Sequence, residues 1–230
     1  PTQWMAKRIQ QSILGPAVQE LRVIPCGVDL ATFRPGDLHA ARRRWGWPPD
    51  ERILLFIANG GKSNPYKDYA TLRQAFELLT QTDSLPRWRL VVVGREFPDE
   101  LVNGHRVQHL PYIEPAEDRA SLFQACDLVT HAVIEEVFGI VLAEALACGR
   151  PVVATQAAGI PEVVEDGQQG LLVPPADPHA FASATHQLMG DPHGRQLMSI
   201  SARERAERLF SLEHMQADYA DWFSQAGQVN

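Results

Sequence analysis

The chain alternates short, almost wholly apolar runs with longer stretches whose apolar positions recur every three or four residues. Arg52-Ile-Leu-Leu-Phe-Ile-Ala58 is one such run, of strand length, as expected for a parallel strand buried on both faces. Trp88-Arg-Leu-Val-Val-Val93 repeats the pattern and ends at Gly94. Shorter strand candidates lie at 21–24, 106–110, 127–130, 151–155 and 170–173. Between them, helical spacing places Leu72, Ala75, Phe76, Leu78 and Leu79 on one side of a helix, and further helices are predicted over 116–125, 138–148 and 160–165. Residues 36–50 are polar and partly helical up to the breaker Trp47-Pro48-Pro49. After Pro174-Pro175 only helices remain, at 177–189, 192–209 and 212–226. Buried strands alternating with helices predict an α/β fold: a Rossmann-like parallel sheet with helices on both faces and an all-helical C-terminal end. Such sheets bind ligands at the carboxyl ends of their strands, near the point where strand order reverses. The loops at 59–67, 94–98, 110–114, 131–138 and 156–161 are therefore where a ligand is expected.

One helix carries an anomaly. The segment 138–148 is apolar nearly all round, as a buried helix is, yet Glu144 lies inside it. A buried carboxylate is costly without a partner. Glu136 precedes it by eight positions, in the loop after a strand, and Phe138-Gly139 opens the helix between them. Unpaired backbone N–H groups at that helix start favour a phosphate or a polarised hydroxyl. Carboxylates held at the same mouth suit ribose or hexose hydroxyls. The plainer alternative is that Glu135 and Glu136 only favour the helix N-terminus, while Glu144 pairs with an arginine.

Composition narrows the partners. With 45% hydrophobic and 21% charged residues the chain is ordinary globular protein, and its net charge of −7 argues against nucleic acid. Lysines are scarce: only Lys7, Lys62 and Lys67 occur, so the last two stand out as a close pair. They fall within Gly60-Gly61-Lys62-Ser63-Asn64-Pro65-Tyr66-Lys67, which follows a buried strand and precedes a helix, where glycine-rich loops approach phosphates. This is not a P-loop, and a solvated turn is the competing reading. Gly94 lacks the further glycines of a dinucleotide fingerprint, which disfavours a Rossmann dehydrogenase. Cys26, Cys126 and Cys148 are widely spaced in apolar surroundings, pointing to a reducing compartment. No His/Cys/Asp cluster has metal spacing and no apolar run approaches a membrane span, so neither a metal nor an organic cofactor is expected. His131, just before Glu136, either faces a ligand or is a strand-end histidine satisfied by backbone.

Taken together, these segments resemble the C-terminal half of a GT-B glycosyltransferase of the large retaining family 4 type. Glu136 and Glu144 are similar to its E-x7-E pair. Flanking likeness is carried by Phe138-Gly139, by Ala147-Cys148-Gly149-Arg150-Pro151-Val152-Val153-Ala154-Thr155, and by Gly159-Ile160-Pro161-Glu162. Gly167, Gly170-Leu171-Leu172-Val173, Pro174 and the upstream Ile24-Pro25-Cys26-Gly27-Val28-Asp29 with Phe33 continue it. The match covers most of residues 22–190.

The resemblance implies a nucleoside-diphosphate sugar donor, UDP-, GDP- or ADP-linked, and transfer with retention to a carbohydrate, lipid or small-molecule acceptor. It assigns Glu136 to donor-sugar hydroxyls, Glu144 to the ribose, and the amides near Phe138, Gly139 and Ile140 to sugar and phosphates. Backbone near Tyr112 and Ile113 would meet the nucleobase. Lys67 matches the lysine of the basic pair that neutralises the leaving diphosphate. Gly61-Lys62 occupies the place of the pair's arginine, exchanging a bidentate fork for a point charge. Val137 stands where Gly is usual, Thr130-His131-Ala132 where Pro-Ser is common, and Asp68 where a Gly follows the lysine.

The same resemblance divides the chain. Residues 1–21 correspond to the tail of an N-terminal acceptor domain that does not precede them, 22–209 to the donor-binding domain, and 210–230 to a helix crossing back to the acceptor lobe. A fragment, or one lobe of a split enzyme, inactive alone, is the expectation. It would be cytoplasmic, peripheral at the inner membrane face through the missing domain, with Trp222 and Phe223 left uncovered. Two rivals stay open: a sugar-nucleotide epimerase of the same architecture, and a non-catalytic sugar-nucleotide-binding module.

Overall fold

In the computed structural model, which describes residues 1–82 and 86–226, the side chains of β1 (Arg52–Ile57) divide between two cores. Ile53, Leu55 and Ile57 face one, Leu54 and Phe56 the other, and all five are buried. That is the period-two division of a central strand. Six more strands join it: β2 (Trp88–Gly94), β3 (Glu100–Val102), β4 (His105–Pro111), β5 (Leu128–His131), β6 (Val152–Thr155) and β7 (Gly170–Val173). Their order is β3-β4-β2-β1-β5-β6-β7, parallel except for β3, which runs antiparallel to β4.

Helices cover both faces. α3 (Tyr69–Thr82) and α7 (Pro178–Gly190) pack through Leu72, Phe76, Phe181 and Leu188 on the Leu54/Phe56 side. α4 (Ala116–Ala125), α5 (Ile140–Ala147) and α8 (Pro192–Leu209) pack through Phe123, Leu142, Leu146 and Ala202 on the other. α1 (Gln3–Gln10), α2 (Leu38–Trp45), α6 (Ile160–Val163) and α9 (Leu212–Ala226) are the other α-helices among the described residues. The fold class is the one the pattern predicts.

Three details differ from the sequence expectations. Residues 21–24 are not a strand: they have no neighbour to pair with, and the nearby ladder contact is a single bridge from Val28 to Ser211 at the start of α9. β3, and with it the hairpin to the expected strand β4, is absent from the expected elements, because its three residues carry too little pattern. Its turn, Asn103-Gly104, takes φ values of 52° and 83°, the left-handed pair that an Asn-Gly hairpin turn requires. α5 begins at Ile140 rather than Phe138, since Gly139 adopts a left-handed φ of 78° at its N-cap.

On α9, Tyr219 and Trp222 both pack against Phe223, which is exposed, while Arg22 lies over the Trp222 ring.

Candidate active site

Strand order reverses at β1, whose neighbours are β2 on one side and β5 on the other. The loops leaving the carboxyl ends of β1 and β5 lie side by side there, and backbone hydrogen bonds join them. Asp68 N–H donates to the Ala132 carbonyl at 3.0 Å, and Ile134 N–H donates to that of Tyr66 at 3.0 Å. This register sets Lys67 against the acidic loop. Lys67 Nζ donates to Glu136 Oε2 at 2.5 Å and lies 3.4 Å from His131 Nε2. The Asp68 carboxylate turns away from the lysine, accepts from Thr71 N–H and Oγ1, and so caps α3.

A cleft of about 500 Å3 opens at this point. Lys67, Glu136, Glu144, Gly139, Ile140 and Tyr112 all line it, together with His131, Arg119 and Asn64. Gly139, Ile140 and Val141 bring to it the N-terminal end of α5, where helical N–H groups are unpaired. An ammonium, a helix N-terminus and two separated carboxylates in one cleft match an anionic ligand rich in hydroxyls.

Glu144 is 8% exposed within α5. Arg119 Nη2 is its cation, 3.6 Å from Oε1, so the anticipated arginine partner exists. Burial still pushes the Glu144 carboxyl above its usual range, with Arg119 opposing. Arg119 is fixed by donating to the carbonyls of Ile113 and Glu114 at 3.2 and 2.6 Å. It thereby links the loop after β4 to α5. Nothing in the sequence marks it, because a lone arginine in an amphipathic helix is unremarkable by pattern.

His131 is fully buried, and its imidazole is held well below the ordinary histidine range by burial and by the Lys67 charge. No backbone group satisfies it: Nδ1 has no partner among the described residues. The strand-end histidine satisfied by backbone is therefore not what the structure contains.

Four predicted residues lie outside the lining of this cleft. Lys62 instead pairs with Glu100 on β3 at 2.9 Å and rests over the Phe97 ring, because the 3-10 turn Gly61–Ser63 directs it toward the sheet edge. Gly61 is buried against Arg95, where a Cβ would come within 3.3 Å of the Arg95 nitrogen. Phe138 is buried, edge-on to Phe210, and Ile113 packs against the core. The structure thus places Lys62 on Glu100 and Lys67 in the cleft.

A mostly parallel sheet of this order with its cleft at the switch point matches the Rossmann-like lobe of a GT-B fold. The chain belongs to the glycosyl transferases group 1, whose family model matches residues 51–191. It is 37% identical over 228 residues to the D-inositol 3-phosphate glycosyltransferase of a Nocardioides species, covering 90% of this chain and 48% of that protein. It is 36% identical over 211 residues to the Mycobacterium tuberculosis (strain ATCC 25177 / H37Ra) protein of the same name, covering 85% and 42%. The chain thus spans about half the length of the curated relatives it matches. Among solved structures, sucrose-phosphate synthase from Thermosynechococcus elongatus superposes with a TM-score of 0.85 at 26% identity, over 100% of this chain and 58% of that one. Anabaena HepE in complex with UDP-glucose superposes with a TM-score of 0.75 at 26% identity, over 89% and 57%. No helix among the described residues is long and apolar enough to cross a membrane.

Proposed function

We propose that this chain binds the nucleoside-diphosphate sugar donor of a retaining, hexosyl-transferring family 4 enzyme, and that a second lobe supplies the acceptor. The observation that carries the reading is the convergence of Lys67, Glu136, Glu144 and the start of α5 on one cleft at the switch point. The solved Anabaena neighbour with bound UDP-glucose supports the donor class.

In this reading Glu144 accepts ribose hydroxyls, Glu136 accepts hydroxyls of the sugar, and Lys67 with the α5 amides offsets the charge that develops on the departing diphosphate. The mechanism is positioning plus charge stabilisation. Glu136 and Glu144 address different parts of the donor, so the two-carboxylate logic of glycoside hydrolysis does not apply. Tyr112 lines the cleft and, with the backbone near it, would meet the nucleobase.

Calorimetric titration of the chain with UDP, GDP, ADP and their glucose conjugates tests these roles. Glu144→Ala is expected to weaken every nucleoside diphosphate, whereas Glu136→Gln weakens the sugar conjugates and spares free UDP. Equal losses for UDP and UDP-glucose in Glu136→Gln would remove the assignment of that residue to the sugar.

A further inference from the structure

We propose that His131 is a positioning residue of this donor site. Its neutral imidazole accepts a hydrogen bond from the Lys67 ammonium through Nε2 and so holds Lys67 where a donor diphosphate would lie. The inference rests on the donor reading above and adds to it a residue at a position where the family resemblance offers only a departure.

An ammonium has three protons and no lone pair, so Lys67 Nζ, 3.4 Å from His131 Nε2, can donate to it only when the lone pair is on Nε2. The imidazole proton then sits on Nδ1, which has no acceptor among the described residues. The charged groups facing the ring are Lys67, from the loop after β1, and Glu136, whose Oε2 is 3.8 Å from Nε2. Arg119 and Glu144 line the same cleft from α4 and α5. Burial and the adjacent ammonium both oppose protonation of the ring.

The Nδ1 of His109 at the sheet edge is likewise without a partner among the described residues, so an unsatisfied ring nitrogen does not by itself mark the site. What sets His131 apart is that its other nitrogen meets a lysine of the cleft. The consequence for the ligand is specific: with Nζ held between Nε2 and Glu136 Oε2, Glu136 Oε1 makes no hydrogen bond among the described residues. One carboxylate oxygen is left for a sugar hydroxyl.

The test uses the 230-residue chain labelled with nitrogen-15 at histidine, and the variants His131→Leu and His131→Gln. Long-range proton–nitrogen correlation is expected to show His131 as the neutral Nδ1–H form at neutral pH and still so below the ordinary histidine range. His131→Leu is expected to weaken UDP binding about tenfold, the worth of one hydrogen bond to a charged group. His131→Gln, whose carbonyl oxygen reaches the Nε2 position, stays within about threefold of the unaltered chain. Removing the unsatisfied donor leaves the thermal midpoint of His131→Leu no lower, which separates positioning from folding. An Nε2–H or protonated ring at neutral pH, or unchanged UDP affinity in His131→Leu, overturns the proposal alone. Absence of UDP, GDP and ADP binding by the unaltered chain overturns the donor reading, and this role with it.

Discussion

Two clusters of lysine, glutamate and buried histidine flank the loop between β1 and α3, and the histidine turns to a different partner in each. At the cleft, His131 Nε2 faces the Lys67 ammonium, and Lys67 bonds Glu136. At the sheet edge, His109 Nε2 meets the Glu100 carboxylate at 3.3 Å, while Glu100 also takes Lys62 and Arg73. The edge cluster ties β3 and β4 to the loop after β1 and to α3. Its charges neutralise one another, and the Lys62 hydrogen bond holds the Glu100 carboxyl below its usual range. The cleft cluster stands at strand carboxyl ends beside a helix N-terminus, and its ammonium, itself paired with Glu136, lines the cleft. Residue types alone do not separate the two. Placement relative to the switch point does.

The strongest way to break both clusters at once is through Gly94. It closes β2 with φ at +137°, and an added Cβ would lie 1.7 Å from the Ala58 carbonyl oxygen, where the lysine-bearing loop begins. Gly94→Ala is expected to cost about 3 kcal/mol or more in urea denaturation, as a forced clash at a strained backbone position does. A loss under about 1 kcal/mol would mean that the loop yields, and that neither lysine depends on this contact.

A smaller effect separates the histidines by pH. The folded state keeps His131 neutral well below the ordinary histidine range, whereas the unfolded chain protonates it near about pH 6.5. Stability from this group is therefore complete above about pH 6.5 and falls as pH drops, by up to about 1.4 kcal/mol per pH unit. His131→Leu should flatten that slope below about pH 6.5. His109→Leu should flatten it less, because Glu100 partly offsets the burial that lowers His109. Equal slopes in His131→Leu and the unaltered chain would contradict the assigned environment.

The smallest effect belongs to the edge pair. Glu100 and Lys62 are each about a third exposed on their side chains, so Glu100→Gln should cost less than about 1 kcal/mol. UDP affinity should not change. A change of about tenfold would show that the edge cluster communicates with the cleft.

The sheet is legible in the sequence because its central strands are buried on both faces and read as unbroken apolar runs. The edge hairpin at Glu100–Val102 is not, although its Asn103-Gly104 turn is a readable signal. At the site, Glu136, Glu144 and Lys67 stand out because each contradicts its surroundings: acids beside or within an apolar helix, a scarce cation after a buried strand. Arg119 contradicts nothing locally and escapes notice, since its importance comes from reaching Glu144 across the fold. Lys62 stands apart from the cleft for the reverse reason. Its five-residue spacing from Lys67 suggests a pair, but a 3-10 turn at Gly61–Ser63 points the two ammonium groups to different partners.

The most direct measurement is calorimetric titration of UDP into the chain and into Lys67→Met and Lys62→Met. Saturable binding is expected in the unaltered chain. Lys67→Met should lose about a hundredfold, roughly 2–3 kcal/mol, as removal of one half-buried charge partner does, while Lys62→Met stays within about threefold. No binding of UDP, GDP or ADP at millimolar concentration, or a loss in Lys62→Met that equals the loss in Lys67→Met, would contradict the account.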